Sequence, residues 1–405
     1  MTIRTLAPLA VICAGCFHPQ YDPLLFCGPG DTCPSGRMCV NEMCVPPAPP
    51  GDGGPGGGSA SDGGCASFAT LVNTCQLSFD ADLIVNGPAS YDTDAHVLMI
   101  GGAARPFAVK TVMIGPDPVD VISAHDVHLG TSASLRATGS HGLAIIASHD
   151  FLIDSDAQID VSRRGAGART ACPNGAARGS NNVGGAGGGG GGGFGADGGF
   201  GGDGNHDGSP AKGGSQGKAE PSFPLGFHGG CPGADGGTGD LSGGAGGQAG
   251  GALYVVAAGR MVFTSTAPLY AGGAGGQGGG HTGNTGDAGG GGGGSGGLLI
   301  LEAPQILASG ATIAANGGSG GEGSDRDGAG AAGGPGTLTT DRAHGGSGGS
   351  MTGSGGGDGG SAVGTAGQSV TASADGGGGG GGGGVGFIRI LSANPVFLAV
   401  SPVQG

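Results

Sequence analysis

The apolar residues of this chain recur at strand spacing, and no long stretch carries a helical period. Val119–Gly139 (VDVISAHDVHLGTSASLRATG) and Leu143–Arg163 (LAIIASHDFLIDSDAQIDVSR) align without a gap at an offset of 24. The offset sets Val121 against Ile145, His125 against His149, Leu135 against Ile159 and Ala137 against Val161. A third copy, Leu253–Gly273, aligns to the second at an offset of 110. A fourth begins at Leu298, about two residues shorter, and Val385–Val400 is a partial fifth. Each copy holds three short apolar segments with period-two alternation, which is the pattern of half-buried strands. Three strands in roughly 24 residues is the size of one solenoid coil. The pattern therefore predicts an all-β fold, a parallel β-helix in which Ile145 and Ile159 pack on Val121 and Leu135 of the coil below. His96–Ile100 and Val109–Ile114 would supply earlier, less regular coils, and a sandwich of short strands is the alternative.

Glycine changes this picture. It accounts for 107 of 405 residues, with 24 prolines beside it, and there is no collagen triplet. That proportion ordinarily marks low-complexity chain, yet about half of the remaining residues are hydrophobic, so a globular component is diluted rather than missing. The glycine tracts follow the third segment of a copy and precede the first segment of the next, at about 165–251, 272–297 and 317–384. A common position predicts insertions that project from one face. Runs such as Gly243–Gly251 (GGAGGQAGG) have a period of three, the period of a polyproline-II helix. Close backbone packing of such helices and flexible loop are both compatible with the composition.

The first residues read as an export address. Arg4, the apolar run Leu6–Ile12 and Cys13-Ala14-Gly15-Cys16 form a minimal secretory signal over residues 1–16. Its end resembles a bacterial lipobox, with Cys16 as the lipidated residue, although Cys13 stands where Leu is usual and Pro8 interrupts the run. A plain signal peptide is the alternative. Residues 17–44 hold Cys27, Cys33, Cys39 and Cys44, a stretch too short to bury a core. Disulfides are the natural staple in an oxidising compartment, and the absence of a C-x-x-C pair argues against zinc. Residues 45–64 are a Pro/Gly linker. Cys65 and Cys75 bracket a small cap at the start of the 65–405 domain, and Cys172 and Cys231 lie in the first glycine tract as a further disulfide pair.

The formal net charge is −15, and no contiguous Lys/Arg cluster is present, which excludes a nucleic-acid partner. His125-Asp126 and His149-Asp150 would stack as a two-rung polar ladder ending at Gly259-Arg260 in the third copy. Gly320–Gly328 (GGEGSDRDG) matches a calcium repeat except for Asp327 at the apolar position. That motif works in tandem, so a single copy leaves only Asp325 and Asp327 as calcium candidates. No nucleophile elbow, HExxH or P-loop is present, and no catalytic residue is assigned.

The lipobox-like start, the four-cysteine module and the phrases NTCQLSFDADL, YDTDAHVL, GGALYVVAAGR, GGSGGLLILEAP and GGVGFIRIL resemble a glycine-rich surface lipoprotein family of the myxobacterial type. The tracts also look like those of mycobacterial PGRS proteins. The resemblance implies export and a role at the outer membrane or cell surface, with no catalytic residues to transfer. The expected function is structural or adhesive, without catalysis and without a cofactor. The expected partners are a membrane, through the N-terminal lipid, and extracellular polysaccharide or other surface proteins. A polysaccharide-binding or polysaccharide-cleaving protein is the alternative.

Overall fold

The computed structural model describes residues 38–40, 43–45, 65–224, 226–281, 287–326, 328–347, 354–357, 359–360, 363–371 and 374–402. The signal segment with Cys16, the cysteines Cys27 and Cys33, most of the linker, and Asp327 lie outside them. The chain divides into two units, Met1–Cys65 and Ala66–Gly405. In the first, Met38–Val40 and Met43–Val45 form an antiparallel hairpin whose backbone register sets Cys39 opposite Cys44.

The second unit is built on two mixed sheets. The smaller has six strands in the order Phe387–Leu391, Leu298–Glu302, Ala252–Ala257, Gly142–Ala147, Asp117–Ala124 and Val109–Ile114, all parallel except the last pair. The larger has twelve strands and passes through the long, bulged strand Gln305–Ala314, with which Asn394–Ser401 pairs in parallel off the main path. On one side of that strand lie Arg260–Phe263, Phe151–Ile153, Val127–Leu129 and Leu83–Val85. On the other lie Leu269–Tyr270, Gln158–Asp160, Ser134–Thr138 and Pro88–Asp92, followed by the antiparallel strands Val97–Ile100 and Ala103–Arg105. The single helical element among the described residues is a 3-10 turn at Thr74–Gln76.

The burial patterns explain the difference in sequence between the sheets. Gly142–Ala147 (GLAIIA) is buried at every position because both its faces are covered, so it reads as a continuous apolar run. Leu143, Ile145 and Ala147 enter the main core between the sheets, with Phe151, Ile153 and Ile159. Ala144 and Ile146 face a second core with Phe194, Phe227 and Tyr254. Ser134–Thr138 buries only alternate residues and keeps a polar face.

These findings correct the expected parallel β-helix. The sheets contain antiparallel as well as parallel pairs, and the described strands form no closed solenoid. The spacing of 24 holds for Val127 with Phe151 and for Leu135 with Ile159. In the smaller sheet it slips to 23, so Ile145 pairs with Ile122 and Val121 pairs with Ala144. The slip matters because one residue moves a side chain to the opposite face: Val121 belongs to the second core, not to the core that holds Ile145. Beyond that pair, neighbouring strands lie far apart in sequence. Leu143 pairs with Leu253, and Leu298 with Phe387.

The chain between those strands is the second correction. The glycine tracts do not project; they pack against one another as a layer joined by backbone hydrogen bonds. Gly378, Gly381 and Gly384 donate to the carbonyls of Ala186, Gly189 and Gly192 at 2.8, 2.9 and 2.8 Å. Gly379 and Gly382 donate to Gln368 and Thr365 at 3.0 and 2.8 Å, and Gly380 and Gly383 to Gly321 and Gly318 at 2.8 and 2.7 Å. Successive N–H groups thus address three different neighbours in rotation, the threefold arrangement of a polyproline-II helix. Such a helix makes no internal hydrogen bonds, so buried it must find all its partners outside itself. Neighbouring tracts supply them. The Cys172–Cys231 disulfide, with a separation of 59 residues, ties the first tract together, and Cys65 and Cys75 are both disulfide-bonded.

Candidate functional site

A concavity of about 640 Å³ opens where the first glycine tract leaves the larger sheet. Four arginines line it, Arg136, Arg163, Arg164 and Arg169, together with Asp92, Asp94 and Asp117. Three devices place them. Arg136 stands on the polar face of Ser134–Thr138 and is anchored. Its Nη1 meets Asp160 Oδ2 at 2.5 Å, and its Nη2 donates to the carbonyls of Ser162 and Arg163 at 2.6 and 2.9 Å. That clamp holds the turn at which Arg163 and Arg164 both take left-handed backbone, with φ of 44° and 63°. Two consecutive non-glycine residues in that region are strained. The turn is held further by Arg163 N–H on Gly272 and Arg164 N–H on Ala249, at 2.9 and 2.6 Å. Both side chains are exposed and make no ion pair among the described residues. Arg169 is paired to Glu220 at 3.3 Å.

The acidic side of the groove is equally ordered. Asp94 Oδ1 accepts from Ser140 N and Oγ, and these hydrogen bonds hold its carboxyl below the usual carboxylate range. Asp92 Oδ1 accepts from the amides of Asp94 and Ala95. The groove therefore offers two unpaired guanidinium groups opposite fixed carboxylates. Guanidinium is a planar fork suited to carboxylate and sulfate groups, and carboxylates accept from hydroxyls.

The ladder expected from His125-Asp126 and His149-Asp150 is formed, and it is structural. Asp82, Asp126 and Asp150 each accept from the backbone N–H one rung on, those of Asp126, Asp150 and Arg260, at 3.2, 2.9 and 3.1 Å. The His125 and His149 rings stack at 5.5 Å. Arg260 Nε closes the ladder on Asp150 at 2.9 Å. Of the two calcium candidates, Asp325 is buried in a tight turn where its Oδ1 accepts from Gly328 N–H at 3.1 Å.

Near that turn Asp287 is almost fully buried. Its Oδ1 lies 4.0 Å from His281 Nδ1, and neither atom has a hydrogen-bond partner among the described residues. Burial pushes its carboxyl up to about 6, with His281 and Arg326 opposing and Asp325 and Asp375 assisting. A carboxyl raised in the folded state contributes stability that is present below the unfolded value near 3.8 and lost as pH rises through about 6. Asp287→Asn should therefore stabilise the protein by about 2–3 kcal/mol at pH 7 and by almost nothing at pH 4. The check is the difference in denaturant midpoint between variant and wild type at the two pH values. A difference independent of pH would count against it.

Contiguous charge was the wrong signal for the groove. Arg163, Arg164 and Arg169 lie within seven residues, but three positives in such a span look like a solvated turn, and Arg136 joins them only through strand pairing. No known protein family, curated protein or solved structure matches the chain.

Proposed function

We propose that this is an exported, lipid-anchored surface protein of adhesive and structural character, without catalytic activity, whose arginine-lined groove holds an acidic polysaccharide. The observation that carries the reading is the convergence of Arg163 and Arg164, unpaired and exposed on a clamped turn, in a chain of net charge −15. Cations kept free in an acidic protein suit an anionic ligand. The neighbouring Asp92 and Asp94 suit the hydroxyls of a sugar. The groove is long enough in sequence, from Asp92 to His228, to draw on both the sheet and the glycine layer, which supplies a rigid mount.

Retention of the full chain on polygalacturonate, measured against neutral dextran by affinity electrophoresis, tests this. Wild type should be retarded by the acidic polymer alone, with the effect fading as salt is raised. Arg163→Ala with Arg164→Ala should weaken retention at least about tenfold, the value of one or two charge-assisted hydrogen bonds. Equal retention by dextran, or by the double variant, would overturn the assignment. Release of new reducing ends would overturn its non-catalytic part.

A further inference from the structure

Among the described residues three groups bring three His and Asp side chains within ligand range of one another: His96/Asp120/His141, His125/Asp126/His149 and His206/Asp207/Asp375. The second is the exposed ladder, whose Asp126 Oδ1 is engaged by a backbone amide. In the third, Asp375 is engaged by Arg326 and Asp207 is 83% exposed. The first is built differently. Asp120 has no solvent exposure, on the strand Asp117–Ala124, where every residue from Val119 onward is buried. His96 Nδ1 lies 2.7 Å from its Oδ2 and His141 Nδ1 lies 3.0 Å from its Oδ1. Each imidazole thus faces a different carboxylate oxygen.

We propose that His96, His141 and Asp120 form a binding site for a divalent transition-metal ion of the zinc class. With the ring protons on Nε2, each Nδ1 has a lone pair to offer beside the carboxylate, and all three ligand atoms lie within 4.8 Å of one another. Two imidazoles and a carboxylate are a donor set for zinc and its neighbours, and unsuited to calcium or magnesium. The carboxylate is oriented from behind. Tyr91 Oη, fully buried, donates to Oδ2 at 2.7 Å, and Thr111 Oγ1 donates to Oδ1 at 2.9 Å. Outer hydrogen bonds of this kind fix a metal-binding carboxylate in place. A buried carboxylate carries a large desolvation cost that a cation offsets. The open side is present too, since His96 and His141 are 46% and 24% exposed, leaving room for water or a ligand in the remaining position. His96 is held with φ of 56° in the turn before Val97–Ile100, a conformation that aims its ring at Asp120. None of the three side chains lines the arginine groove, so this inference stands apart from the polysaccharide reading.

The test uses the full chain, stripped with chelator and dialysed against micromolar Zn²⁺, with bound metal counted by mass spectrometry. Wild type should retain one equivalent that His96→Ala and His141→Ala each lose and His149→Ala keeps. Co²⁺ in place of zinc should give a visible d–d band in wild type and none in His141→Ala. Circular dichroism checks folding of each variant. Tyr91→Phe, which removes only the supporting hydroxyl, should weaken Zn²⁺ binding 10- to 100-fold and decides the matter if a histidine variant unfolds. Wild type without bound zinc, histidine variants that hold as much as wild type, or an unchanged affinity in Tyr91→Phe would each overturn the site.

Discussion

Gly291→Ala should cost the protein its cooperative fold, while Gly328→Ala should pass unnoticed. A Cβ at Gly291 would stand 2.2 Å from the carbonyl oxygen of Ala245, 2.6 Å from its carbon and 2.7 Å from the carbonyl oxygen of Gly244. All three are backbone atoms, so no rotamer change relieves the overlap. The tract cannot simply move aside either. Gly291 N–H donates to Gln277, and its carbonyl accepts from Gly321 N–H, both at 2.8 Å. A shift that cleared Ala245 would break those bonds, and the same carbonyl already lies 1.9 Å from where a Cβ on Gly380 would sit. Ordinary overpacking costs about 1–3 kcal/mol because side chains give way; here the loss should exceed about 4–5 kcal/mol. At Gly328 nothing lies within 4 Å of the added methyl, and the change should stay within about 0.5 kcal/mol. Thermal unfolding of the two variants beside wild type gives the contrast. If they melt together, the glycine layer is not packed as described.

That layer was half legible in the sequence. The period of three in GGAGGQAGG indicated a polyproline-II geometry, but composition could not separate a packed bundle from loose loop, because both need little besides glycine. The difference lies in which carbonyl each N–H meets, and residues such as Gly381 and Gly189 are nearly two hundred positions apart. The strand pairs were more legible. The offset of 110 is the register of Leu143 with Leu253, Phe151 with Met261 and Ile159 with Leu269. Apolar spacing failed at Val121, where the run VDVIS against LAIIA fits equally well at 23 and 24, since both faces are buried and its two polar residues, Asp120 and Ser123, sit at positions of opposite parity and are buried too, so they mark neither face as the outside. The parallel β-helix was an over-extension of that spacing to chain that instead forms mixed sheets under a glycine layer. The His96, Asp120 and His141 group lay hidden for another reason. Its members come from a turn, a strand and the approach to the next strand, and no short motif spans them.

Ile145→Ala and Ile146→Ala should each cost about 2–5 kcal/mol, the range for emptying a packed site. The two side chains leave Gly142–Ala147 on opposite faces. Ile145, beside Ile122 and Val255 in the sheet, enters the core shared with Phe151 and Ile159. Ile146 points to the core shared with Phe194 and Phe227, both contributed by the first glycine tract. Both isoleucines have no solvent exposure. If the tracts projected as loose inserts, the face under Ile146 would be wet, and its truncation would cost no more than a surface change, about 0.5 kcal/mol. Because the glycine layer seals that face, the two losses should be comparable, and Ile84→Ala, at a residue 52% exposed, should serve as the near-neutral reference. Denaturant midpoints measured at a constant m-value are the readout. A large loss at Ile145 with a negligible one at Ile146 would mean that the second core does not exist. Comparable losses place the glycine tracts among the elements that hold the fold, since the layer that carries Phe194 and Phe227 can exclude water from Ile146 only if its backbone segments stay hydrogen-bonded to one another.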